Sequence, residues 1–386
     1  MQFAAIGVAG LSLLIWICLF FFNGHFWQIW ISDADGDIVD SPAVWPSVIA
    51  IVPARNEAAT ITQTVAALAL QDYPGKFSIV VVDDHSEDGT AELAQNAAAE
   101  AGTGKNIHVL AAEELVSGWT GKLWALQCGV EFAHAVSPDF IWFTDADVVH
   151  GPDALGRLVS RAERDRLDLT SLMVSLQTKT FSEKLIIPPF LYFFLMLYPP
   201  RQIANPKSRT AGAAGGCMLL RNSALTRIGG LAAIRSEIID DCSLARTVKK
   251  SGGSIWMGLT RNSVSLRRYS RLSELQDMIA RTAFTQLRYS VFLLLGTVAG
   301  LLLTFLAPAA LSLSTNSRIW LPALLAWCLM SASFLPAVVF YRLSPIWSPF
   351  LPIAAIFYSY CTVLSAIRYW LGRGGQWKGR AQAQNT

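Results

Sequence analysis

Charged residues are concentrated in the middle of this 386-residue chain. No Asp, Glu, Lys or Arg precedes Asp33, and no acidic residue follows Asp277. Eight of the 31 basic residues lie beyond Asp277, which leaves 23 basic against 28 acidic residues in the segment 33–277. The chain is 53% hydrophobic, and the excess of apolar residues lies at both ends. We therefore expect a mildly acidic globular domain between apolar, basic ends, which favour anionic lipid surfaces.

The apolar ends contain four runs of about membrane-spanning length. Residues 3–22 lack a basic n-region and a clear cleavage site, so we interpret them as an anchor rather than a signal peptide. The other runs are 291–313, 320–341 and 349–370. If the middle domain is cytosolic and all three cross, the basic tail 373–386 ends outside, against the positive-inside tendency. Either that tendency fails here or one run is re-entrant or interfacial, and the proline-rich start of the last run, 345–352, favours that run.

One apolar segment within the middle domain, residues 185–200, is interrupted by the pairs Pro188-Pro189 and Pro199-Pro200. Its short length and its prolines argue against a membrane span and favour an interfacial segment near lipid. The alternative interpretation is a buried loop of the core.

The composition argues against other classes of protein. The sequence has no basic stripe with interleaved aromatic residues, so no nucleic-acid partner is predicted. The six cysteines form no C-x-x-C pair, so neither a disulfide framework nor a zinc site is indicated. The apolar runs contain almost no ionisable residues, which argues against a transporter.

Apolar strands and helices alternate along the middle of the chain with short connections between them. Strands are predicted at 47–53, 77–82, 107–110 and 141–143, and helices at 61–68, 91–100, 123–133 and 154–164. This alternation predicts an α/β fold with a mostly parallel sheet and right-handed crossovers.

Three of these strands end in charged residues, at the edge where open α/β sheets bind ligands. The pairs are Arg55 and Glu57, Asp83 and Asp84, and Asp145 and Asp147. Carboxylates at positions i and i+2, such as Asp145 and Asp147, can share one hard cation, and Mg²⁺ takes its other ligands from water and phosphate. The hypothesis is a metal–diphosphate site, and the alternative is a pair of solvated loop aspartates.

Several segments together are similar to one enzyme family. The segments Val52-Pro53-Ala54-Arg55-Asn56-Glu57, Val82-Asp83-Asp84-His85-Ser86-Glu87-Asp88-Gly89-Thr90 and Asp145-Ala146-Asp147 resemble the motifs of family 2 glycosyltransferases. The segment 118–126 and the membrane layout look most like the hopanoid-biosynthesis-associated (hopene-associated) glycosyltransferases, relatives of ceramide glucosyltransferase. The resemblance implies a GT-A nucleotide-diphospho-sugar transferase fold with N-terminal and C-terminal transmembrane helices.

The resemblance also implies roles for single residues of the donor site. The matched positions are Pro53, Arg55 and Glu57 in the loop over the nucleotide base, Asp83 and Asp84 at uracil or ribose, and Asp145 and Asp147 at a divalent metal, Mg²⁺ or Mn²⁺. Asp147 is favoured as the direct metal ligand. Lys122 follows Gly121 before a predicted helix, where backbone N–H groups and a cation suit a diphosphate. The alternative for Lys122 is a solvated lysine at the helix start.

A second chemical centre is predicted at Asp240-Asp241. The segment 237–245 resembles the E-D-x-x-L-A element of the family, with Asp240 in place of glutamate and Asp241 at the position of the catalytic base. A base is required because an acceptor hydroxyl must lose a proton as it attacks the sugar. The alternative is that the pair only caps the helix 243–250.

Residues 286–289 resemble the R-x-x-R-W or Q-x-x-R-W motif of the family. Gln286, Arg288 and Tyr289 are the candidate contacts to acceptor or diphosphate, with Tyr289 in place of tryptophan and Thr285 where arginine or glutamine is usual. Tyr289 is expected to stack near the acceptor. The alternative is an Arg-Tyr pair at the membrane interface.

The sequence thus predicts a membrane-bound, inverting glycosyltransferase of hexosyl- or N-acetylhexosaminyl-transferase type. It would move a sugar from a nucleotide-diphosphate donor, a UDP-sugar by preference, to a hydroxyl of a lipid acceptor such as a hopanoid. The predicted regions are an anchor (1–32), a linker (33–46), a catalytic domain (47–290), a membrane region of two or three spans (291–372) and a basic tail (373–386). The predicted location is the inner (cytoplasmic) membrane, with the catalytic domain in the cytoplasm. The alternatives are a polyprenyl-phosphate glycosyltransferase, a polysaccharide synthase or a non-catalytic nucleotide-binding scaffold.

Overall fold

The computed structural model describes residues 2–29, 41–102 and 106–374, with two short strands beyond them. Most of the predicted linker, residues 33–40, and most of the basic tail lie outside the described residues. The chain divides into two compact units. The helical unit consists of Met1–Ile29, Thr178–Arg201 and Tyr269–Gly375, and the sheet unit of Trp30–Gln177, Gln202–Arg268 and Gln376–Thr386. The predicted catalytic domain, 47–290, is therefore divided between the two units.

The strands are β1 (Val48–Ala54), β2 (Phe77–Asp83), β3 (Asn106–Ala111), β4 (Phe140–Thr144), β5 (Val148–His150), β6 (Leu169–Ser175), β7 (Cys217–Arg221), β8 (Ile255–Ser265), β9 (Gln376–Trp377) and β10 (Arg380–Ala381). The α-helices are α1 (Gln2–Phe22), α2 (Ile61–Ala69), α3 (Thr90–Glu100), α4 (Gly121–His134), α5 (Ala154–Arg164), α6 (Phe181–Leu197), α7 (Pro200–Ala204), α8 (Asn222–Arg227), α9 (Asp240–Lys250), α10 (Leu272–Ala280), α11 (Ala283–Gln286), α12 (Val291–Leu301), α13 (Ala307–Leu311), α14 (Ser317–Phe340) and α15 (Leu351–Trp370). Two 3₁₀ helices (Leu231–Ile234 and Pro345–Phe350) and one π-helix (Leu302–Leu306) complete the described elements.

The sheet unit is built on an eight-stranded sheet in the order β3-β2-β1-β4-β7-β6-β8-β5. The strands β3, β2, β1 and β4 are parallel, and so are β6 and β8. The strand β7 runs antiparallel to both β4 and β6, and β5 runs antiparallel to β8. The predicted α/β fold with a mostly parallel sheet is confirmed, and the sheet carries two reversed strands in addition.

The central strands β1 and β4 are buried along their whole length. Their apolar side chains form a core together with residues of α2 and α5. Strands that are covered by helices on both faces are buried in this way. Full burial of each Val, Ile or Phe side chain stabilises the fold by about 1.5–3 kcal/mol relative to leaving it exposed. On the opposite face α4 packs closely against β1: a Cβ added to Gly129 would lie 2.4 Å from a methyl group of Ile51. This packing fixes the start of α4, which carries Lys122, near the carboxyl ends of the parallel strands.

The helical unit contributes helices that are long and apolar enough to span a membrane. Within the described residues there are five such segments: Gln2–Phe22, Phe181–Ala204, Val291–Leu311, Ser317–Phe340 and Pro345–Trp370. The proline-rich residues 345–352 run from the 3₁₀ helix directly into α15, which continues without a break for 20 residues, or about 30 Å. Its length therefore matches a hydrocarbon core as well as the other segments do.

Pro308 changes the backbone hydrogen bonding of the helix that contains it. Pro308 cannot donate a backbone hydrogen bond to Thr304, and its ring crowds that carbonyl. The helix widens to a π-turn just before it, and the indole of Trp16 donates to the Thr304 carbonyl at 2.7 Å. The Thr304 carbonyl, which cannot pair with Pro308, thus accepts a hydrogen bond from another helix.

The expectation for residues 185–200 was partly wrong. The segment forms the 17-residue helix α6, which continues through Pro188 and Pro189 rather than being broken by them. Its first turn is held by a capping box, in which the Thr180 hydroxyl accepts the Glu183 N–H and the Glu183 carboxylate accepts the Thr180 N–H. Together with α7, α6 forms the segment Phe181–Ala204, which is long and apolar enough to span a membrane.

Candidate active site

The segments that follow β1 and β2 hold each other in place. The backbone N–H of Asn56 donates to the Ser86 hydroxyl at 2.9 Å, and that of Glu57 donates to the Thr90 hydroxyl at 2.8 Å. Because parallel strands end at the same edge, the loops after them can exchange such hydrogen bonds. Pro53 lies inside β1 and is buried, so it is part of the strand and not of the loop.

The adjacent aspartates at the end of β2 differ in their partners. Asp84 is fully buried and forms an ion pair with the Arg55 guanidinium at 3.5 Å. Asp83 is 7% exposed, and its Oδ2 accepts the Ser86 N–H at 3.2 Å. Within the part of the chain that the structure describes, Oδ1 of Asp83 is buried without a hydrogen-bond partner. Since buried acceptors are rarely left unpaired, this oxygen is suited to accept a hydrogen bond from a ligand.

The loop between β4 and β5 holds Asp145 and Asp147. The hydroxyl of Thr64 donates to the carbonyl of Ala146 at 2.9 Å, and the hydroxyl of Ser265 donates to Asp147 Oδ2 at 3.1 Å. Burial, followed by the charges of Asp145 and Glu57, raises the pKa of Asp147 to about 6. The loop therefore concentrates negative charge that a cation would stabilise.

The two carboxylates of this loop fit a divalent metal ion that prefers oxygen ligands. Among the described residues no group of three or more His, Cys, Asp and Glu side chains could hold a metal by itself. Asp145 and Asp147 supply hard oxygen ligands, and Mg²⁺ or Mn²⁺ can complete its coordination with water and phosphate oxygens. The residues thus fit an ion that is shared with a bound diphosphate.

Lys122, at the start of α4, connects the two acidic centres of the sheet unit. Its Nζ lies 3.0 Å from Asp145 Oδ1 and 3.3 Å from Asp240 Oδ2. Burial alone would lower the pKa of Lys122, but the carboxylates of Asp145 and Asp240 raise it above its usual value. The lysine is therefore a permanent cation at neutral pH, placed between residues that are distant in sequence.

Asp241 lies in the first turn of α9, where its carboxylate is held by backbone groups. The N–H of Gly215 donates to Oδ2 at 2.9 Å, and the N–H of Cys242 donates to Oδ1 at 2.6 Å. Burial and then the charge of Asp240 raise the pKa of Asp241 to about 6, although Lys122 and the two N–H groups act in the opposite direction. Asp241 is thus an oriented carboxylate with a pKa closer to neutrality than that of an ordinary aspartate.

Comparison with known proteins finds similarity to glycosyltransferases in this part of the chain. Residues 49–229 match the sequence profile of glycosyl transferase family 2. An N-acetylglucosaminyltransferase of Mesorhizobium japonicum is 26% identical over 189 residues, which cover 48% of this chain and 41% of that protein. One of Rhizobium leguminosarum bv. viciae is 29% identical over 192 residues, which cover 49% and 42%. The chain spans about two fifths of the length of these relatives.

A solved structure of low sequence identity shares the fold of this chain. It is the mannosyltransferase PcManGT from Pyrobaculum calidifontis, in complex with GDP-Man and Mn²⁺, with a TM-score of 0.60 and 18% sequence identity. The alignment covers 94% of this chain and 99% of that one. This likeness supports a GT-A-like α/β fold.

The third group of predicted residues lies in the helical unit, outside the matched residues 49–229. The amide of Gln286 donates to the Tyr198 hydroxyl at 2.6 Å. The ring of Tyr289 stacks on Tyr369 with the ring centroids 4.3 Å apart. Arg288 is exposed, and both Arg288 and Tyr289 adopt left-handed backbone angles, with φ of 51° and 57°. One face of the Tyr289 ring is therefore covered by a neighbouring aromatic residue.

One buried group beside the Asp145–Asp147 loop, His150, belongs to no sequence motif. The His150 ring lies 2.8 Å from the hydroxyls of both Thr144 and Ser263. Burial lowers the pKa of His150 to about 3, so the ring is neutral and joins β4 to β8 by hydrogen bonds. A polar residue at the end of a short strand carries no pattern that points to this role.

Proposed function

We propose that the chain is a membrane-bound, inverting glycosyltransferase. It transfers a sugar from a nucleotide-diphosphate donor, preferentially a UDP-sugar, to a hydroxyl of a lipid acceptor such as a hopanoid. The observation that carries this proposal is the contact of one ammonium, that of Lys122, with Asp145 of one acidic pair and Asp240 of the other. A donor diphosphate and an acceptor hydroxyl would thus meet at the carboxyl edge of the sheet.

Donor binding is supported by the loops after β1, β2 and β4. The unpaired buried oxygen of Asp83 suits a hydroxyl or imide donor of a nucleoside. Asp145 and Asp147 would hold a divalent ion, which when bound supplies positive charge beside the leaving diphosphate. PcManGT binds GDP-Man and Mn²⁺, which supports a nucleotide-sugar donor and a divalent metal here. Lys122 would add a second positive charge at the helix start.

In the proposed reaction Asp241 acts as the general base. Its carboxylate removes the proton of the acceptor hydroxyl while that oxygen forms a bond to the anomeric carbon. The bond from the anomeric carbon to the diphosphate breaks in the same step, and the nucleoside diphosphate leaves with the bonding electron pair. The N–H groups of Gly215 and Cys242 fix the orientation of the base. A pKa of about 6 keeps Asp241 ionised at neutral pH while leaving it basic enough to accept the proton.

The five long apolar helices support the proposed membrane location. We propose that the glycosyltransferase domain faces the cytoplasm, where nucleotide sugars are made, and that the chain lies in the inner membrane. The helices would bring the reaction to the level of lipid head groups.

The test uses the full-length protein in detergent, membrane lipid extract, a panel of UDP-sugars and Mg²⁺ or Mn²⁺, with products identified by mass spectrometry. We expect a donor-dependent glycolipid that requires the metal and disappears in Asp147→Ala. Asp165→Ala, at the end of α5, is the matched control and should keep full activity. Full activity of Asp147→Ala would contradict the metal assignment.

Other products would point to other functions. A glycosylated polyprenyl phosphate that still forms in Asp241→Asn would indicate transfer to a phosphate, which needs no base. A polymer would indicate a polysaccharide synthase. Thermal stabilisation by UDP without turnover of any lipid would indicate a binding protein.

A further inference from the structure

The two adjacent aspartates at the start of α9 have different partners. Asp241 accepts hydrogen bonds from two backbone N–H groups. Asp240, whose side chain is 16% exposed, forms an ion pair with Lys122 at 3.3 Å. The same ammonium lies 3.0 Å from Asp145. The first aspartate therefore acts on a charged side chain, while the second is held as a base.

We propose that Asp240 is a positioning residue for the transfer reaction: it holds the Lys122 ammonium beside Asp145, where the donor diphosphate is to bind. This inference rests on the proposed function. Asp240 takes no proton from the acceptor. Its contribution passes through Lys122, whose long side chain would otherwise sample several rotamers at a cost in free energy on each binding event.

The position of Lys122 also affects how the metal binds. With its Nζ 3.0 Å from Asp145 Oδ1, the ammonium neutralises part of the charge that a divalent ion would use. Positive charges at such a distance repel each other, so Lys122 opposes binding of the free ion. A metal–nucleotide complex brings phosphate oxygens that attract both Lys122 and the ion. The metal is therefore expected to bind well only together with the diphosphate.

Substitution of Lys122 then has opposite effects on two measurable affinities. In Lys122→Met, binding of Mn²⁺ alone, measured by electron paramagnetic resonance, should become about threefold or more tighter, since a competing cation is removed. Binding of UDP with Mn²⁺, measured by calorimetry, should become about tenfold weaker, since a contact to the phosphates is lost. A purely structural role of Lys122 would weaken both, so weaker binding of Mn²⁺ alone would overturn the proposed competition.

The role of Asp240 is tested by a double-mutant cycle with Lys122. We expect Asp240→Asn to raise the KM for the UDP-sugar about tenfold with a smaller change in kcat, and Asp240→Glu to restore most of the loss because a carboxylate is kept. In the Lys122→Met background, Asp240→Asn should have little further effect. Additive effects, or a loss of kcat in Asp240→Asn as large as that in Asp241→Asn, would overturn the proposal.

The measurements of Mn²⁺ and UDP binding distinguish a failure of this inference from a failure of the proposed function. If the wild-type protein does not bind UDP with Mn²⁺, the proposed function fails and the role of Asp240 fails with it. If the wild-type protein binds them and the two substitutions act independently, only the role of Asp240 fails. Thermal unfolding of each variant identifies a loss of folding, which cannot produce tighter binding of Mn²⁺.

Discussion

Two regions of the sheet unit differ in the pKa values of their carboxylates. The donor loops are residues 55–60 and 83–90, at the ends of β1 and β2. The acidic cluster consists of Asp145, Asp147, Asp240 and Asp241 around Lys122. In the donor loops, burial acts to raise the pKa of Asp88, but hydrogen bonds from Thr90 and from the Ala58 N–H together outweigh it and lower that pKa. In the acidic cluster, burial and neighbouring carboxylates raise the pKa values of Asp147 and Asp241 to about 6. The Asp88 carboxylate of the first region is satisfied by hydrogen bonds within the loops. The second keeps negative charges close together, so it gains most from a cationic or proton-donating ligand.

This contrast separates residues that shape the site from residues that react. Groups with pKa values shifted toward neutrality by like charges and burial are typical of reacting sites. Interlocked backbone hydrogen bonds, such as those of Asn56 and Glu57, are typical of a preformed binding surface. Substitutions in the two regions should therefore change different kinetic constants.

The largest effect is expected for Asp241→Asn. The variant keeps the size of the side chain and removes the base, so kcat should fall by about 10²–10⁴ with little change in the KM for the donor. Steady-state kinetics with the glycolipid assay measure both constants. A rise in the KM for the donor by a similar factor would mean that Asp241 contributes to donor binding. The proposed difference between the two regions would then be wrong.

A smaller effect is expected for Asp83→Ala in the donor loops. It removes the buried carboxylate oxygen proposed to accept a hydrogen bond from the nucleoside, so the affinity for UDP should fall by about 10- to 100-fold with kcat nearly unchanged. Calorimetry with UDP and Mn²⁺ measures the affinity. Glu87→Ala, an exposed residue of the same loop, is the control and should bind UDP normally.

The pH dependence gives the smallest and most general test. Because protonated Asp241 cannot accept a proton, kcat should fall about tenfold per unit as the pH drops below about 6, and should be level above it. The stability contribution of this carboxyl has the opposite sign: it is full below the ordinary pKa of 3.8 and is lost as the pH rises through about 6. Asp88, with its lowered pKa, should stabilise above 3.8 and lose that contribution as the pH falls. Rate profiles from about pH 4 to about pH 8 test the first sign, and unfolding profiles extended down to about pH 2 test the other two.

The regular part of the sheet was predictable because its signal is local. Alternating apolar strands and helices predicted the parallel strands β1 to β4, and the polar residues after them predicted the edge that carries the site. The reversed strand β7 was not predictable, since an apolar run such as Cys217–Arg221 is the same in either direction. The helix through Pro188 and Pro189 was also not predictable, because a proline inside a helix removes a backbone hydrogen bond and the local sequence therefore favours a break.

The candidate site was predictable only where a motif named its residues. Asp145, Asp240 and Lys122 carried patterns, and the structure brings them into contact. The roles of those residues, and of Gln286, Arg288 and Tyr289, stay predictions. The neutral ring of His150 and the hydroxyl of Ser265 support the Asp145–Asp147 loop through partners far along the chain. Contacts of that kind depend on the tertiary fold and leave no short pattern in the sequence.

The antiparallel pairing of β6 with β7 has a consequence for how a chain of this fold can vary. The polypeptide leaves the sheet after Ser175 and returns to the neighbouring strand at Cys217, so everything between is an excursion from one β-pair. An excursion of this type can be lengthened, shortened or exchanged without altering the order of the strands. The length and hydrophobicity of residues 176–216 can therefore change while the sheet that carries the candidate site stays the same.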